Sequence, residues 1–299
     1  MPIAEISPMT GDHAPRVTVI IPTYHDWDRL TQCLDALGAQ TYPSHRVEIL
    51  VVNNDPTNQP PPSLTLDRRT HLLTEATPGS YAARNTGIKA ATGQIIAFTD
   101  SDCVPDPRWI ETAVEEICSG AERVAGRIEL FSERQPPSLA DEYEMLVGFD
   151  QAAYAAKGSA ATANMVTSKA AFDAIGHFNS MLLSGGDMEW GFRAKLHGIG
   201  IRYSPASVVR HPTRGSLYAL FKKARRVSAG ASAVRELRGS RLWLLRAVLP
   251  PRSVLTIARA NKLTPLNRVQ LMGIAYALKL WHNLNVLLLW AGVQSPQRR

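Results

Sequence analysis

The sequence predicts an α/β protein built on an open, mostly parallel central sheet, with a helical, basic region after it. Three observations predict this. Short β-branched runs alternate with stretches of helical periodicity through the first two-thirds of the chain. Polar, chemistry-bearing residues stand where those runs end. The basic charge is gathered into the last third.

The elements follow in order. Arg16 to Pro22 (RVTVIIP) is a β-branched run of the kind that forms a buried strand. Asp26 to Gln40 places Trp27, Leu30, Leu34 and Leu37 at helical spacing. Val47 to Val52 (VEILVV) is a second buried strand, closed by Asn53-Asn54-Asp55-Pro56. A Pro-rich loop and a short strand at His71–Thr74 lead to a helix over Ser80–Thr92, which opens after Pro78-Gly79 and closes near Gly93. Gln94 to Thr99 (QIIAFT) is a further buried strand, followed at once by Asp100-Ser101-Asp102. Pro107 to Cys118 is a helix with proline near its start. Beyond it, a strand is expected near Arg123–Phe131, one helix over Leu139–Lys157 and a strand over Ala161–Val166. Gly185-Gly186-Asp187 opens a helix to about His197, and Ile199–Tyr203 and Ser207–Val209 are closing strands.

Composition bounds the class. With 299 residues, 45% apolar and 20% charged, the chain can bury a sizeable core and is not a disordered, collagenous or coiled-coil sequence. Cys33, Cys103 and Cys118 form no CxxC and leave an odd one over, which argues against a disulfide framework or a cysteine zinc site. No long uncharged apolar run suggests a membrane span, and the first residues do not resemble a signal peptide, so a reducing cytosol is expected.

The formal net charge of +7 hides an asymmetry. Residues 212–299 hold 16 basic residues and one acid, Glu236, whereas residues 1–211 hold 17 basic and 25 acidic residues. The expected division is an N-terminal extension over 1–15, a mildly acidic body over 16–211 and a basic amphipathic region over 212–299. In that last region Leu217–Val227, Leu242–Leu249 and Leu271–Val293 mix apolar and basic residues, with Trp243, Trp281 and Trp290 among them. Two readings stand together there: interfacial helices on an anionic membrane surface, or a helical cap on the body.

Asp100 and Asp102 sit one residue apart at the mouth of a buried strand, so an extended chain projects both to one side. Paired carboxylates call for a cation, and hard oxygen ligands suit Mg²⁺ or Mn²⁺. Asp187 stands at a helix start, where the dipole favours the ionised form, as a general base requires. His211 follows an apolar strand and is a candidate third ligand.

The segments VTVIIPTY, VEILVVNND, AARNTGIKAATGQIIAFTDSDC, ATANMVTSKAAFDAIGHFN, GGDMEWGFRAKLHGIGIRY and SVVRH, in this order, resemble the inverting family 2 glycosyltransferases of GT-A fold. The resemblance covers about residues 17–211 and implies transfer of a sugar from a nucleotide diphosphate, usually UDP-linked, to a hydroxyl of a glycan or lipid-linked acceptor in surface or exopolysaccharide synthesis. It implies that Pro22, Thr23 and Tyr24 border the nucleobase. Asn53 stands where the family more often has Asp, with Asp55 nearby to compensate. Arg84 falls near the base or diphosphate, Asp100 at the ribose or metal, and Asp102 and His211 at the metal, which is Mn²⁺ or Mg²⁺. Asp187 matches the catalytic base, although Gly186 stands where the family's preceding Glu would be. Asn164, Gly186, Glu189 and Trp190 fall on the acceptor side. The location implied is cytoplasmic, peripheral on the cytosolic face of the plasma membrane.

The competing reading is a phosphatase of the haloacid dehalogenase type, because IIAFTDSDCV approaches that family's nucleophile motif. The acid it needs four residues after Asp187 is replaced by Gly191. Nucleic acid is not expected as a partner, since the basic region has no helix-turn-helix, zinc or RNA-binding signature.

Overall fold

A computed structural model describes residues 14–238, 249–261 and 263–293. Most of the expected N-terminal extension and the apolar stretch 242–248 lie outside the described residues. The described strands are β1 (Val17–Thr23), β2 (Val47–Asn53), β3 (Thr70–Thr74), β4 (Ile95–Phe98), β5 (Val104–Pro105), β6 (Arg123–Phe131), β7 (Met165–Ser168) and β8 (Arg202–Pro212). The described helices are α1 (Trp27–Gly38), α2 (Ser80–Ala90), α3 (Trp109–Cys118), α4 (Leu139–Val147), α5 (Gln151–Ala155), α6 (Lys169–Ile175), α7 (Gly186–Leu196), α8 (Leu217–Arg238), α9 (Arg252–Arg259) and α10 (Pro265–Trp290).

The strands form one sheet in the order β3-β2-β1-β4-β7-β6-β8-β5. β3, β2, β1 and β4 are parallel, because α1 and α2 serve as crossovers between successive strands. β7 then runs antiparallel to both β4 and β6, and β5 antiparallel to β8. β1 pairs Thr23 with Asn53 on one side and Ile20 with Phe98 on the other. That register brings the ends of β1, β2 and β4 to one edge, where ligands bind in open α/β sheets. β1 is buried on both faces, which is why its sequence is a continuous apolar run.

Three expectations change in detail. The single helix over 139–157 is two helices, α4 and α5. Gly148 makes the break: a Cβ there would meet Leu130 Cδ1 at 2.2 Å and the Glu144 carbonyl oxygen at 2.5 Å. Asp150 then caps the new helix, accepting from the Ala153 amide at 2.9 Å. The two closing strands are one long strand, β8, and the strand expected over 161–166 begins only at Met165, after a 3₁₀ turn at Thr162–Asn164.

The chain divides into two compact units. The first holds residues 1–129, 150–181 and 186–211. Its core includes an aromatic cluster of Phe98, Phe172, Phe178 and Trp190, with Trp190 stacked on Phe172 at 4.5 Å between centroids. The second holds residues 130–149, 182–185 and 212–299. Ile257, Leu271 and Ala275 form its core, packed against Leu139, Tyr143 and Leu146 of α4. Also within it, buried Glu144 accepts from Arg214 at 2.7 Å and Lys223 at 2.9 Å. Burial pushes the Glu144 carboxyl up, and those two cations more than offset it, so the net shift is down.

Candidate active site

Asp100 and Asp102 leave the sheet directly after β4. With Cys103 and His211 they form a group whose ligand atoms all lie within 4.8 Å of one another. His211, near the end of β8, is buried and brings its Nε2 to 3.8 Å from Asp102 Oδ1. Cys103 is fully buried, and that burial, with the charges of Asp102 and Asp100, pushes its thiol well above the usual range. A sulfur donor suits softer ions, so the oxygen and nitrogen atoms of the group are the ones that matter for a hard cation. What remains is two carboxylates and an imidazole, a donor set that fits a hard or borderline divalent ion such as Mg²⁺ or Mn²⁺.

The N-terminal half of α2 lies beside this group. Gly79 starts the helix at a φ of 125°, a conformation that favours glycine, and its amide donates to Asn54 Oδ1 at 2.7 Å. Arg84 is buried and donates to Asp100 Oδ1. Its guanidinium carbon lies 5.6 Å from the centroid of the Tyr81 ring, one helical turn earlier. The Tyr81 hydroxyl donates to Asp187 Oδ1 at 3.0 Å. A continuous run of contacts thus links the carboxylates after β4 with the carboxylate at the start of α7.

Asp187 lies in the first turn of α7. Oδ1 also accepts from the Met188 amide at 2.9 Å, and Oδ2 accepts from the Thr162 amide at 3.4 Å. Burial raises its pKa, and the Tyr81 hydrogen bond and the Arg84 charge pull only part of the way back. The expectation from the helix dipole was a carboxylate held ionised. Desolvation outweighs it, and the carboxylate is the stronger base for that.

At the ends of β1 and β2, Thr23 is buried with no partner for its Oγ1, Pro22 is half-buried, and the Tyr24 ring lies 4.2 Å from the His25 ring. His25 Nε2 stands 2.6 Å from Asp55 Oδ2, while Asp55 Oδ1 accepts from the amide and hydroxyl of Thr57. Those Thr57 bonds, then His25, pull the Asp55 carboxyl down to about 2. Asn53 is only 1% exposed, and its amide is consumed in the turn. Its Nδ2 donates to the carbonyls of Asp55 and Asn58 at 2.9 and 2.8 Å, and its Oδ1 accepts from the Asp55 amide at 3.1 Å. Asn53 thereby shapes the loop at the end of β2.

The residues expected on the acceptor side separate. Gly186 adjoins Asp187 and packs on Tyr81. Asn164 is fully buried and bonds the Trp109 indole at 2.8 Å and the carbonyls of Arg127 and Ser207 at 2.8 and 3.0 Å. Glu189 is buried in a two-point ion pair with Arg193, which also donates to the Ile175 and His177 carbonyls. Trp190 is fully buried in the aromatic cluster, its Nε1 donating to the Gly176 carbonyl at 2.8 Å. Asn164, Glu189 and Trp190 therefore hold the framework together, because their polar atoms are already paired inside it.

Sequence reasoning missed Tyr81 and the thiol of Cys103. Tyr81 was accessible in principle, since it precedes Arg84 by three residues on one helix. The phosphatase reading fails on packing: a Cβ at Gly191 would meet Ser159 Oγ at 2.4 Å and the Gly158 carbonyl oxygen at 2.9 Å, so no acid fits there.

Comparison with known proteins supplies the remaining observations. The family described as glycosyl transferase family 2 matches residues 18–176. The chain is 34% identical over 251 residues to the glycosyltransferase AglE of Haloferax volcanii, covering 79% of this chain and 82% of that protein. It is 31% identical over 148 residues to a pre-mycofactocin glycosyltransferase of Mycobacterium tuberculosis, covering 46% of this chain and 31% of that protein. Among solved structures, it is similar to the mannosyltransferase PcManGT from Pyrobaculum calidifontis in complex with GDP-Man and Mn²⁺, at a TM-score of 0.51 and 19% identity, over 94% of this chain and 76% of that one. It is also similar to S. aureus TarS 1-349 in complex with UDP-GlcNAc, at a TM-score of 0.52 and 16% identity, over 86% of this chain and 70% of that one.

Proposed function

The chain belongs to glycosyl transferase family 2, and we propose that it moves a sugar from a nucleoside diphosphate to an acceptor hydroxyl with inversion, using a divalent ion and Asp187 as base. It is a glycosyltransferase of GT-A fold. The observation that carries the reading is the run of contacts from Asp102 and Asp100 through Arg84 and Tyr81 to Asp187.

Asp100, Asp102 and His211 would hold the ion, which when bound neutralises charge on the leaving diphosphate. Arg84 fixes Asp100 from the side of α2. Asp187 accepts the proton of the acceptor hydroxyl as that oxygen attacks the anomeric carbon. The bond from that carbon to the diphosphate oxygen breaks, and the nucleoside diphosphate departs with the electron pair. One displacement inverts the anomeric centre and needs no enzyme nucleophile. Thr23, Tyr24 and the loop shaped by Asn53 and Asp55 border the base, which we take to be uracil.

The acceptor we propose is a glycan or lipid-linked hydroxyl of surface or exopolysaccharide synthesis, met at the cytosolic face of a membrane. Two observations support a membrane surface for 212–299. Its 16 basic residues face one acid in the sequence. Along α10, Leu266, Val269, Tyr276, Leu280, Leu284 and Leu287 are exposed at steps of three, four and, across Gly273, seven, which places them on one face of the helix. Among the described residues no helix is long and apolar enough to cross a membrane. The test of the function is nucleoside diphosphate release from a panel of UDP- and GDP-sugars with and without Mn²⁺. Mn²⁺-dependent release supports the reading, and release of phosphate from simple phosphoesters instead would refute it.

A further inference from the structure

We propose that Tyr81 is a positioning residue for the base, holding Asp187 so that Oδ2, and not Oδ1, receives the proton of the acceptor hydroxyl. This rests on Asp187 being the base.

The argument begins with the two oxygens. Oδ1 takes the Tyr81 hydroxyl at 3.0 Å and the Met188 amide at 2.9 Å, which fills its two lone-pair directions. Oδ2 takes one longer contact, from the Thr162 amide at 3.4 Å. A proton can be accepted only at an oxygen with an unfilled lone pair, and that is Oδ2. The tyrosine is itself held in place. Arg84 sits 5.6 Å from its ring centroid while bound to Asp100, and the Phe178 ring lies 5.5 Å away on centroids. Burial pushes the phenol pKa upward, so the hydroxyl remains a donor across the working range.

Gly186 supplies an independent observation. A Cβ at this position would stand 2.8 Å from both Cδ2 and Cε2 of Tyr81. The ring occupies the space that a side chain beside the base would need, so the two positions are sterically matched. Other groups facing Asp187 are few. Arg84 of α2 acts on it through its charge, and Tyr154 of α5 lies close enough that burial and then the Asp187 charge push its phenol up. The remaining donors to the carboxylate are backbone amides.

The experiment is the pH dependence of kcat and of KM for the nucleotide sugar, in Tyr81→Phe, Gly186→Ala and Asp187→Asn. Losing the phenolic donor removes an interaction that lowers the carboxyl pKa, so in Tyr81→Phe the acid limb of kcat moves to higher pH. Below that limb kcat falls on the order of ten-fold, as expected for a hydrogen bond to a charged group, with KM unchanged. Gly186→Ala, which displaces the ring while keeping the phenol, shifts the limb in the same direction. A thermal shift on adding nucleoside diphosphate with Mn²⁺ shows that each variant is folded. An acid limb unmoved in both variants overturns the proposal. If Asp187→Asn keeps its turnover, the base assignment fails and this proposal with it. If Asp187→Asn loses turnover while the other two keep the wild-type profile, the positioning role alone is refuted.

Discussion

His211 Nε2 stands 3.8 Å from Asp102 Oδ1, so the end of the last sheet strand closes on the loop that leaves β4. Both side chains are largely shielded, and Asp100 belongs to the same group. Removing one carboxylate takes away one of the two hard oxygen ligands of the group. Asp102→Ala is therefore expected to lose the Mn²⁺-dependent part of nucleoside diphosphate binding. His211→Ala is expected to weaken it by about 10–100-fold. Calorimetric titration of UDP and GDP with and without Mn²⁺ checks both.

Burial of Asp187 has a cost in stability. Its carboxyl has a folded pKa above its unfolded one, so folding favours the protonated form. That contribution is fully present below the unfolded pKa and is lost as pH rises through the folded value. Asp187→Asn keeps an oxygen for the Tyr81 hydroxyl and does not titrate. Its melting temperature should match or fall below wild type in acid and exceed it at neutral pH. Scanning calorimetry across that range checks the sign.

Asn164 is a structural strut, and its loss should register in stability. Asn164→Ala leaves the Trp109 indole and two carbonyls without their buried partner. The expected cost is about 2–4 kcal/mol, read as a shift in denaturation midpoint. Asn164→Asp should not rescue it, because a carboxylate cannot donate to the two carbonyls.

The stripe on α10 gives a surface prediction. Leu266→Glu combined with Leu280→Glu places two charges on its exposed face, with both wild-type side chains more than 60% exposed. Binding to vesicles rich in phosphatidylserine should fall strongly, and vesicles of phosphatidylcholine should bind wild type weakly. Cosedimentation of the variant equal to wild type would remove this face as the contact.

The parallel half of the sheet was legible because β1, β2 and β4 are buried on both faces and read as unbroken apolar runs. The DSD loop was legible for the same reason: the run ending at Phe98 points to the strand's carboxyl end. The pairing of Asn164, Glu189 and Trp190 was not legible, because a motif records residue type and order but not which atoms are already paired. Asn53 is held in a turn that the Asn-Asn-Asp-Pro-Thr sequence itself signals, since such side chains bond their own backbone. The break at Gly148 was hidden, since it depends on Leu130 crossing the helix, a contact that local periodicity does not encode.

The central claim is tested most directly by the turnover of Asp187→Asn at saturating nucleotide sugar, acceptor and Mn²⁺. The account predicts a fall in kcat of about 10²–10⁴-fold with nucleoside diphosphate affinity retained. Turnover within a few-fold of wild type would contradict it.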